Sequence, residues 1–168
     1  FLSKGLDISS QLDGGKNSAQ YALLPYLPKE QKLLLVHNTF SESADIEEIE
    51  THFSHAYWCT CPKANWYIEQ KLPSYDLWRK KNLKITIGTD SLASNNSLSV
   101  LEEIKMIQKN FPHIPTNELL IWACKNGAEF FNYDELGSFK PGSRPGVVLI
   151  EHVDGLQLRE NSKVTVLV

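Results

Sequence analysis

The sequence predicts an α/β protein built on a parallel β-sheet. Three short runs of apolar and β-branched residues, at 33–36, 56–61 and 84–87, have the length of buried strands. Segments with the apolar spacing of helices separate these runs, and strands that alternate with helices of this length favour parallel pairing. The chain has 168 residues, of which 42% are hydrophobic and 22% charged, enough for one core of ordinary size.

The N-terminal part of the chain is predicted to contain a helix, the first strand and a second helix. Pro25 ends a short helix over 18–24, and the first strand then closes at His37. Either Ser43 or Asp45 is expected to cap the second helix. Three apolar side chains spaced three or four residues apart form the buried face of that helix: Ile46, Ile49 and Phe53.

The middle of the chain continues the alternation. Pro62 ends the second strand, and two short helices over 64–70 and 74–81, divided by Pro73, lead to the third strand. A Ser/Asn cluster after the third strand offers side-chain oxygens to cap a helix that begins near Leu98. The apolar stripe of this helix recurs at helical spacing: Leu98, Leu101, Ile104 and Ile107.

The C-terminal part of the chain differs from the rest in composition. A further helix begins at about Thr116, and a turn-rich segment over 137–146 follows it. Two β-branched segments at 147–150 and 164–168 are then expected to form short strands. The change of composition predicts a small β-structure after the α/β part.

Composition and charge argue against some classes of function. A net charge of −3, with one short basic run at 79–81, gives no general attraction to nucleic acid. The longest apolar runs are too short to cross a bilayer, so no membrane association is expected. Three cysteines without Cys-x-x-Cys spacing predict reduced, buried thiols and a cytoplasmic protein: Cys59, Cys61 and Cys124.

Polar side chains follow each of the three predicted strands. His37 follows the first, Asn65 lies in the turn after the second, and Asp90 follows the third. The ends of parallel strands share one edge, where ligands bind in α/β folds, so a His and an Asp there can move protons or bind a metal. Trp66 is expected to line a pocket there. Each of these residues also has a purely structural interpretation, as a turn, loop or packing residue.

The same strand ends carry sequence motifs of a known superfamily. Three motifs stand at the strand ends: Leu35-Val36-His37-Asn38, Cys61-Pro62-Lys63-Ala64-Asn65, and Gly88-Thr89-Asp90-Ser91 with Ala93-Ser94-Asn95-Asn96. Two further segments match a closing helix and a return to a β-sandwich: Ala123-Cys124-Lys125-Asn126-Gly127-Ala128 and Gly137-Ser138-Phe139-Lys140-Pro141-Gly142. On these motifs the chain resembles the C-terminal part of the amidohydrolase superfamily, in the branch of cytosine deaminase-like aminohydrolases and chlorohydrolases.

The resemblance implies a fold and a reaction. Residues 1–136 would form strands 6 to 8 of a (β/α)8 TIM-type barrel, and residues 137–168 would be strands of a small β-sandwich subdomain. The implied enzyme binds one divalent metal ion, zinc or iron, and hydrolyses a C–N or C–halogen bond of a small ring substrate. Asp90 would be a metal ligand and proton acceptor. His37 would bind the attacking water or the substrate, and Trp66 would contact the substrate.

The sequence also departs from the superfamily's pattern. It contains no His-x-His, and it lacks the fifth-strand metal His and the acid that follows it. A catalytic zinc needs about three protein ligands, so one carboxylate is too few. We therefore expect the chain to be the C-terminal portion of a larger enzyme, inactive alone. Its open sheet edges should be covered by the missing half or by neighbouring chains, including a homo-oligomer.

Two alternatives remain open at this point. The chain could be a noncatalytic α/β binding or interaction module in which His37 and Asp90 serve only the fold. A nucleotide-phosphate binder is disfavoured, because no Gly-rich loop joins a strand to a helix.

Overall fold

The first part of the structure is a three-stranded parallel sheet with helices between its strands. The computed structural model describes residues 26–168, so the helix expected over 18–24 lies outside the described residues. The strands are β1 (Leu33–Val36), β2 (Ala56–Thr60) and β3 (Lys84–Ile87), and the sheet order is β1-β2-β3. The predicted strand positions and their parallel pairing are confirmed.

The helices follow the predicted order with small changes at their ends. Before β3 they are α1 (Ser43–His52), α2 (Pro62–Glu69) and α3 (Tyr75–Lys80); after β3 they are α4 (Val100–Asn110), α5 (Thr116–Leu120) and α6 (Asn126–Phe130). Residues Ile121–Lys125 form a π-helical turn that joins α5 to α6 without a break. The apolar periodicity predicts one helix here, because it does not distinguish a π turn from an α turn.

Two helix starts differ from expectation in how they are capped. Neither Ser43 nor Asp45 occupies the cap of α1; Glu42 does, and Asp45 completes a capping box by accepting a hydrogen bond of 2.8 Å from the Glu42 amide. Helix α4 begins at Val100 rather than near Leu98, because the Ser99 hydroxyl caps it by accepting from the Glu102 amide.

The parallel register gives the sheet two distinct faces. In one cross-strand row Leu35 aligns with Trp58 and Trp58 with Ile85, and these side chains pack against the helices. In the next row Val36 aligns with Cys59, and Cys59 forms a small second cluster with Cys61 and Ala64. One face of the sheet therefore holds the main core.

Aromatic side chains fill that core. Trp58 is fully buried, its ring centroid lies 5.7 Å from that of Trp78, and its indole N–H donates to Glu50 at 2.8 Å. Tyr75 packs edge-on against Trp78, and the Tyr75 and Thr60 hydroxyls share a hydrogen bond of 2.7 Å. The expected core roles of Trp58, Trp78 and Trp122 are confirmed.

The C-terminal residues form one antiparallel hairpin. Strands β4 (Val148–Asp154) and β5 (Gln157–Val166) are longer than the segments predicted at 147–150 and 164–168. Their extra residues are mostly polar and exposed, so apolar patterning misses them. The hairpin is tied to α4 by the Lys105 ammonium, which donates to the carbonyls of Glu160 at 2.9 Å and Ser162 at 2.7 Å.

Among the described residues, β1 and β3 each pair with a neighbour on one side only. Val36 on β1 is 46% exposed although it is apolar. Three adjacent parallel strands with helices against one face form an α/β arrangement of the kind found in a sector of a barrel. Within residues 26–168, no helix is long and apolar enough to cross a membrane.

Replacing Trp58 tests the main core. We expect Trp58→Ala to lower the free energy of unfolding by about 3–5 kcal/mol, because it leaves a cavity beside Trp78 and removes the partner of Glu50. Trp66→Ala is the matched control, since Trp66 is 43% exposed. Chemical denaturation measures both variants, and equal losses would contradict this description of the core.

Candidate active site

The three parallel strands end at one edge of the sheet, and the residues that follow them adopt unusual backbone conformations. His37 and Asn38, directly after β1, have φ angles of 71° and 50°, and Asp90, after β3, has a φ of 55°. A non-glycine residue in this left-handed region costs roughly 1–3 kcal/mol and persists only where its surroundings enforce it. The His37 amide donates to the Cys59 carbonyl at 2.9 Å, which anchors this turn to β2.

The Asp90 side chain is exposed, and its carboxylate is bound by the loop that follows it. The Ser94 hydroxyl donates to Asp90 Oδ2 at 2.5 Å, and this bond lowers the pKa of Asp90. The Ser91 amide and the nearby His37 lower the pKa further, while partial burial opposes them. His37 contributes least to this lowering of the Asp90 pKa, and β2 lies between the strands that the two residues follow.

Asn65 connects the turn after β2 to the turn after β1. It is 1% exposed; its Oδ1 accepts from the Cys61 amide at 3.1 Å, and its Nδ2 donates to the Thr39 hydroxyl at 2.5 Å. The structure thus supports the loop-stabilising interpretation of Asn65. Thr39 lies two residues after His37, so Asn65 helps to fix the segment that carries His37.

Two thiols pack beneath the end of β3. Cys59 and Cys61 are free and buried, and the neighbouring Cys59 thiol together with burial raises the pKa of Cys61. A Cβ atom at Gly88 would lie 3.2 Å from Cys59 Sγ and 3.3 Å from Cys61 Sγ, so only glycine leaves both thiols undisturbed. Cys124 is exposed, so the prediction that all three thiols are buried is wrong for this residue, which lies on the outer side of the π turn.

An open groove of about 550 Å³ lies beside the Asp90 loop. Trp66 lines it, as expected, with Tyr67 on the same helix and Leu92 on the loop opposite. Ser94 also lines it, and the Ser94 hydroxyl is the donor to Asp90. The groove thus reaches the hydrogen-bond partner of Asp90, although Asp90 and His37 do not line it, and it offers aromatic surface for a flat ring.

The donor set at this edge does not complete a metal site. Among residues 26–168 there is no group of three or more His, Cys, Asp or Glu side chains placed to hold a metal ion. Asp90 is the predicted metal ligand here, with His37 nearby, and a catalytic zinc takes about three protein ligands. The described residues alone do not fit a metal ion.

The structure also shows roles of two side chains that the sequence analysis does not predict. The Ser/Asn cluster is predicted only to cap a helix, but Ser94 binds Asp90, and Asn95 donates to the Thr89 carbonyl at 2.8 Å. These contacts could have been predicted from the short spacing between Asp90 and this cluster, since an Asp in a turn commonly bonds nearby hydroxyls and amides.

Comparison with known proteins agrees with the motifs at these strand ends. The model of the amidohydrolase family matches residues 8–167. The chain belongs to the amidohydrolase family. The resemblance inferred from the strand-end motifs is thereby confirmed.

Individual relatives are deaminases. A 5-methylthioadenosine/S-adenosylhomocysteine deaminase from Archaeoglobus fulgidus is 30% identical over 147 residues, which are 82% of this chain and 34% of that protein. An adenosine deaminase from Helicobacter pylori is 28% identical over 104 residues, 60% of this chain and 25% of that protein. The chain spans 18% to 34% of the length of such curated relatives.

Solved structures resemble the chain in fold. A crystal structure of an adenosine deaminase from Xanthomonas campestris with bound zinc aligns with a TM-score of 0.71 at 19% identity. The alignment covers 86% of this chain and 34% of that one. The α/β arrangement described above is thus that of an amidohydrolase.

Asn65 provides a test of how the strand ends are held together. We expect Asn65→Ala to lower the free energy of unfolding by about 2 kcal/mol, because the buried Cys61 amide loses its acceptor and the Thr39 hydroxyl loses its donor. Asn117→Ala, at an exposed position on α5, should change it by less than about 0.5 kcal/mol. Chemical denaturation measures both, and no loss in Asn65→Ala would contradict the assignment.

Proposed function

We propose that the protein is a metal-dependent deaminase in which water displaces an amino group from a heterocyclic ring and ammonia leaves. The observation that carries this proposal is the Asp90 carboxylate at the strand-end edge of the sheet, which accepts a hydrogen bond of 2.5 Å from the Ser94 hydroxyl and whose pKa this bond lowers. Family membership and the deaminase relatives support the reaction class.

The proposed substrate class is an aminopurine nucleoside. The relatives named as deaminases of adenosine and of 5-methylthioadenosine or S-adenosylhomocysteine support this choice. The groove beside Asp90 supplies Trp66 and Tyr67 as flat surfaces, and aromatic rings stack favourably on a purine. We propose Trp66 as a substrate-binding residue on this basis.

In the proposed mechanism, two side chains of this chain act on the attacking water. Asp90 accepts a proton from the water as its oxygen attacks the ring carbon. His37 donates a hydrogen bond to the water or to the substrate and stabilises the negative charge that develops. Asp90 then gives this proton to the amino group, the carbon–nitrogen bond breaks, and ammonia leaves the hydroxylated ring.

We propose that one zinc or iron ion binds in the intact protein, with Asp90 as one of its ligands. When bound, such an ion lowers the pKa of the attacking water. The remaining ligands would come from outside residues 26–168, because these residues supply too few donors. Activity would therefore require those residues, in the same chain or a neighbouring one, and they would also cover the open edges of β1 and β3. We further propose a cytoplasmic location, which the three unpaired cysteines support.

Asp90 is the residue whose replacement tests the proposal. In the full-length protein, Asp90→Asn should reduce kcat for ammonia release by at least about 1,000-fold, since the variant loses both the proton acceptor and a charged ligand. Asp76→Asn is the matched control: Asp76 is an exposed carboxylate on α3 that binds His113 Nε2 at 2.7 Å. The control should retain wild-type kcat and KM.

The assay should cover both reactions expected of this branch. Ammonia release from adenosine and 5′-substituted adenosines measures deamination, and chloride release from a chlorinated triazine measures the alternative chlorohydrolase reaction. Ammonia release by the wild type and its loss in Asp90→Asn support the proposal. Wild-type activity that survives in Asp90→Asn would contradict it, and a metal-free protein without either activity would favour a noncatalytic module.

A further inference from the structure

A buried carboxylate behind the candidate site has no part in the mechanism described so far. Glu103 lies in the first turn of α4 and is 0% exposed. Glutamate is almost never fully buried unless its charge is matched by partners, so the position calls for an explanation. The apolar stripe of α4 places Leu101, Ile104 and Ile107 in the core but does not require an acid beside them.

Both oxygens of Glu103 are occupied, and each binds a different loop. Glu103 Oε2 accepts from the backbone amide of Lys63 at 2.8 Å, in the first turn of α2. Glu103 Oε1 accepts from Asn95 Nδ2 at 2.6 Å, in the loop after β3. A negative charge at the N-terminal turn of α2 is also favoured by the helix dipole.

The bond to Asn95 continues towards Asp90. Asn95 Nδ2 donates to the Thr89 carbonyl at 2.8 Å, and Asn95 Oδ1 accepts from the Ser97 amide at 3.2 Å. Thr89 directly precedes Asp90. A short chain of contacts thus runs from α2 through Glu103 and Asn95 to the peptide that carries the Asp90 backbone.

We propose that Glu103 is a positioning residue that fixes the Asp90 loop against α2 and so sets the place of the Asp90 carboxylate. The same link fixes the width of the groove, because Trp66 and Lys63 lie on the α2 side and Ser94 and Asn95 on the loop side. Lys63 reinforces it from the outside, where its ammonium binds Asn96 Oδ1 and Ser97 Oγ. The effect of Glu103 on turnover rests on the proposed deaminase function, whereas its effect on the loop does not.

Glu103→Gln tests the proposal with little change of shape. A carboxylate accepts on both oxygens, but an amide has one oxygen and one NH2 group. In the variant, the NH2 group would face either the Lys63 amide or the Asn95 NH2, so one of the two bonds is lost or Asn95 turns over and releases Thr89. Glu102→Gln is the matched control on the same helix, because it removes an equal charge from a half-exposed side chain whose carboxylate binds Lys105.

Hydrogen exchange of the full-length protein measures the loop directly. In Glu103→Gln we expect exchange to rise at least about tenfold at the amide of Lys63 or at that of Ser97, according to which bond is lost, and to stay unchanged elsewhere in the core. Glu102→Gln should exchange like the wild type. Unchanged protection at Lys63 and Ser97 in Glu103→Gln would overturn the proposal, and so would a uniform rise across the whole chain, which would indicate only a loss of global stability.

Steady-state kinetics separate positioning from simple stabilisation. For folded Glu103→Gln we expect kcat for ammonia release to fall about 10- to 100-fold, because a displacement near 1 Å costs about that much, with KM within about twofold of wild type. Unchanged kcat would overturn the link to Asp90. If the wild type releases no ammonia, the proposed function fails, and the exchange data still decide whether Glu103 fixes the loop.

A double variant tests whether Glu103 acts on the Asp90 loop through the contact between Asn95 and Thr89. In Glu103→Gln combined with Asn95→Asp, the glutamine NH2 can donate to the new carboxylate while its oxygen still accepts from Lys63. The new carboxylate nevertheless has no N–H to donate to the Thr89 carbonyl. We expect protection at Lys63 to recover while kcat stays low; recovery of kcat would overturn the role assigned to the Asn95–Thr89 contact.

Discussion

The parallel register of three short strands determines which residues meet at one edge of the sheet. Because Val36 aligns with Cys59 and Cys59 with Thr86, the strands end at nearly the same height. Residues that are far apart in sequence therefore lie at the same edge of the sheet. His37 and Asp90 both follow strands that end at this edge, on either side of β2.

Polar contacts anchor the loops at this edge next to the apolar core. Asn65 joins the turns after β1 and β2, and Glu103 with Asn95 joins α2 to the loop after β3. The unfavourable left-handed conformations of His37 and Asp90 can persist because these loops are anchored at several points. Such arrangements are typical of sites where side chains must be held in place before a substrate arrives.

Much of this fold can be predicted from apolar periodicity. The features that this pattern does not predict have physical causes. The strands and most helices lie where the pattern predicts them, since one face of each must be buried. The hairpin β4–β5 extends through exposed polar residues whose pairing depends on backbone bonds, which leave no mark on side-chain pattern. Glu103 is not predictable in this way, because acids in a first helical turn usually face water and its partner Lys63 is 40 residues away in sequence. The positions of His37 and Asp90 at the strand ends are predictable because known motifs mark them, whereas the roles of His37, Trp66 and Asp90 stay predictions.

The proposed role of Asp90 is to bind a catalytic metal ion together with ligands from outside the described residues. Anomalous X-ray scattering at the zinc and iron edges, on crystals of the full-length protein, tests this role. We expect one anomalous peak about 2.0–2.2 Å from a carboxylate oxygen of Asp90, the distance typical of zinc, with the other ligands from outside residues 26–168. A metal bound elsewhere, with Asp90 bonded only to Ser94 in metal-loaded crystals, would contradict it.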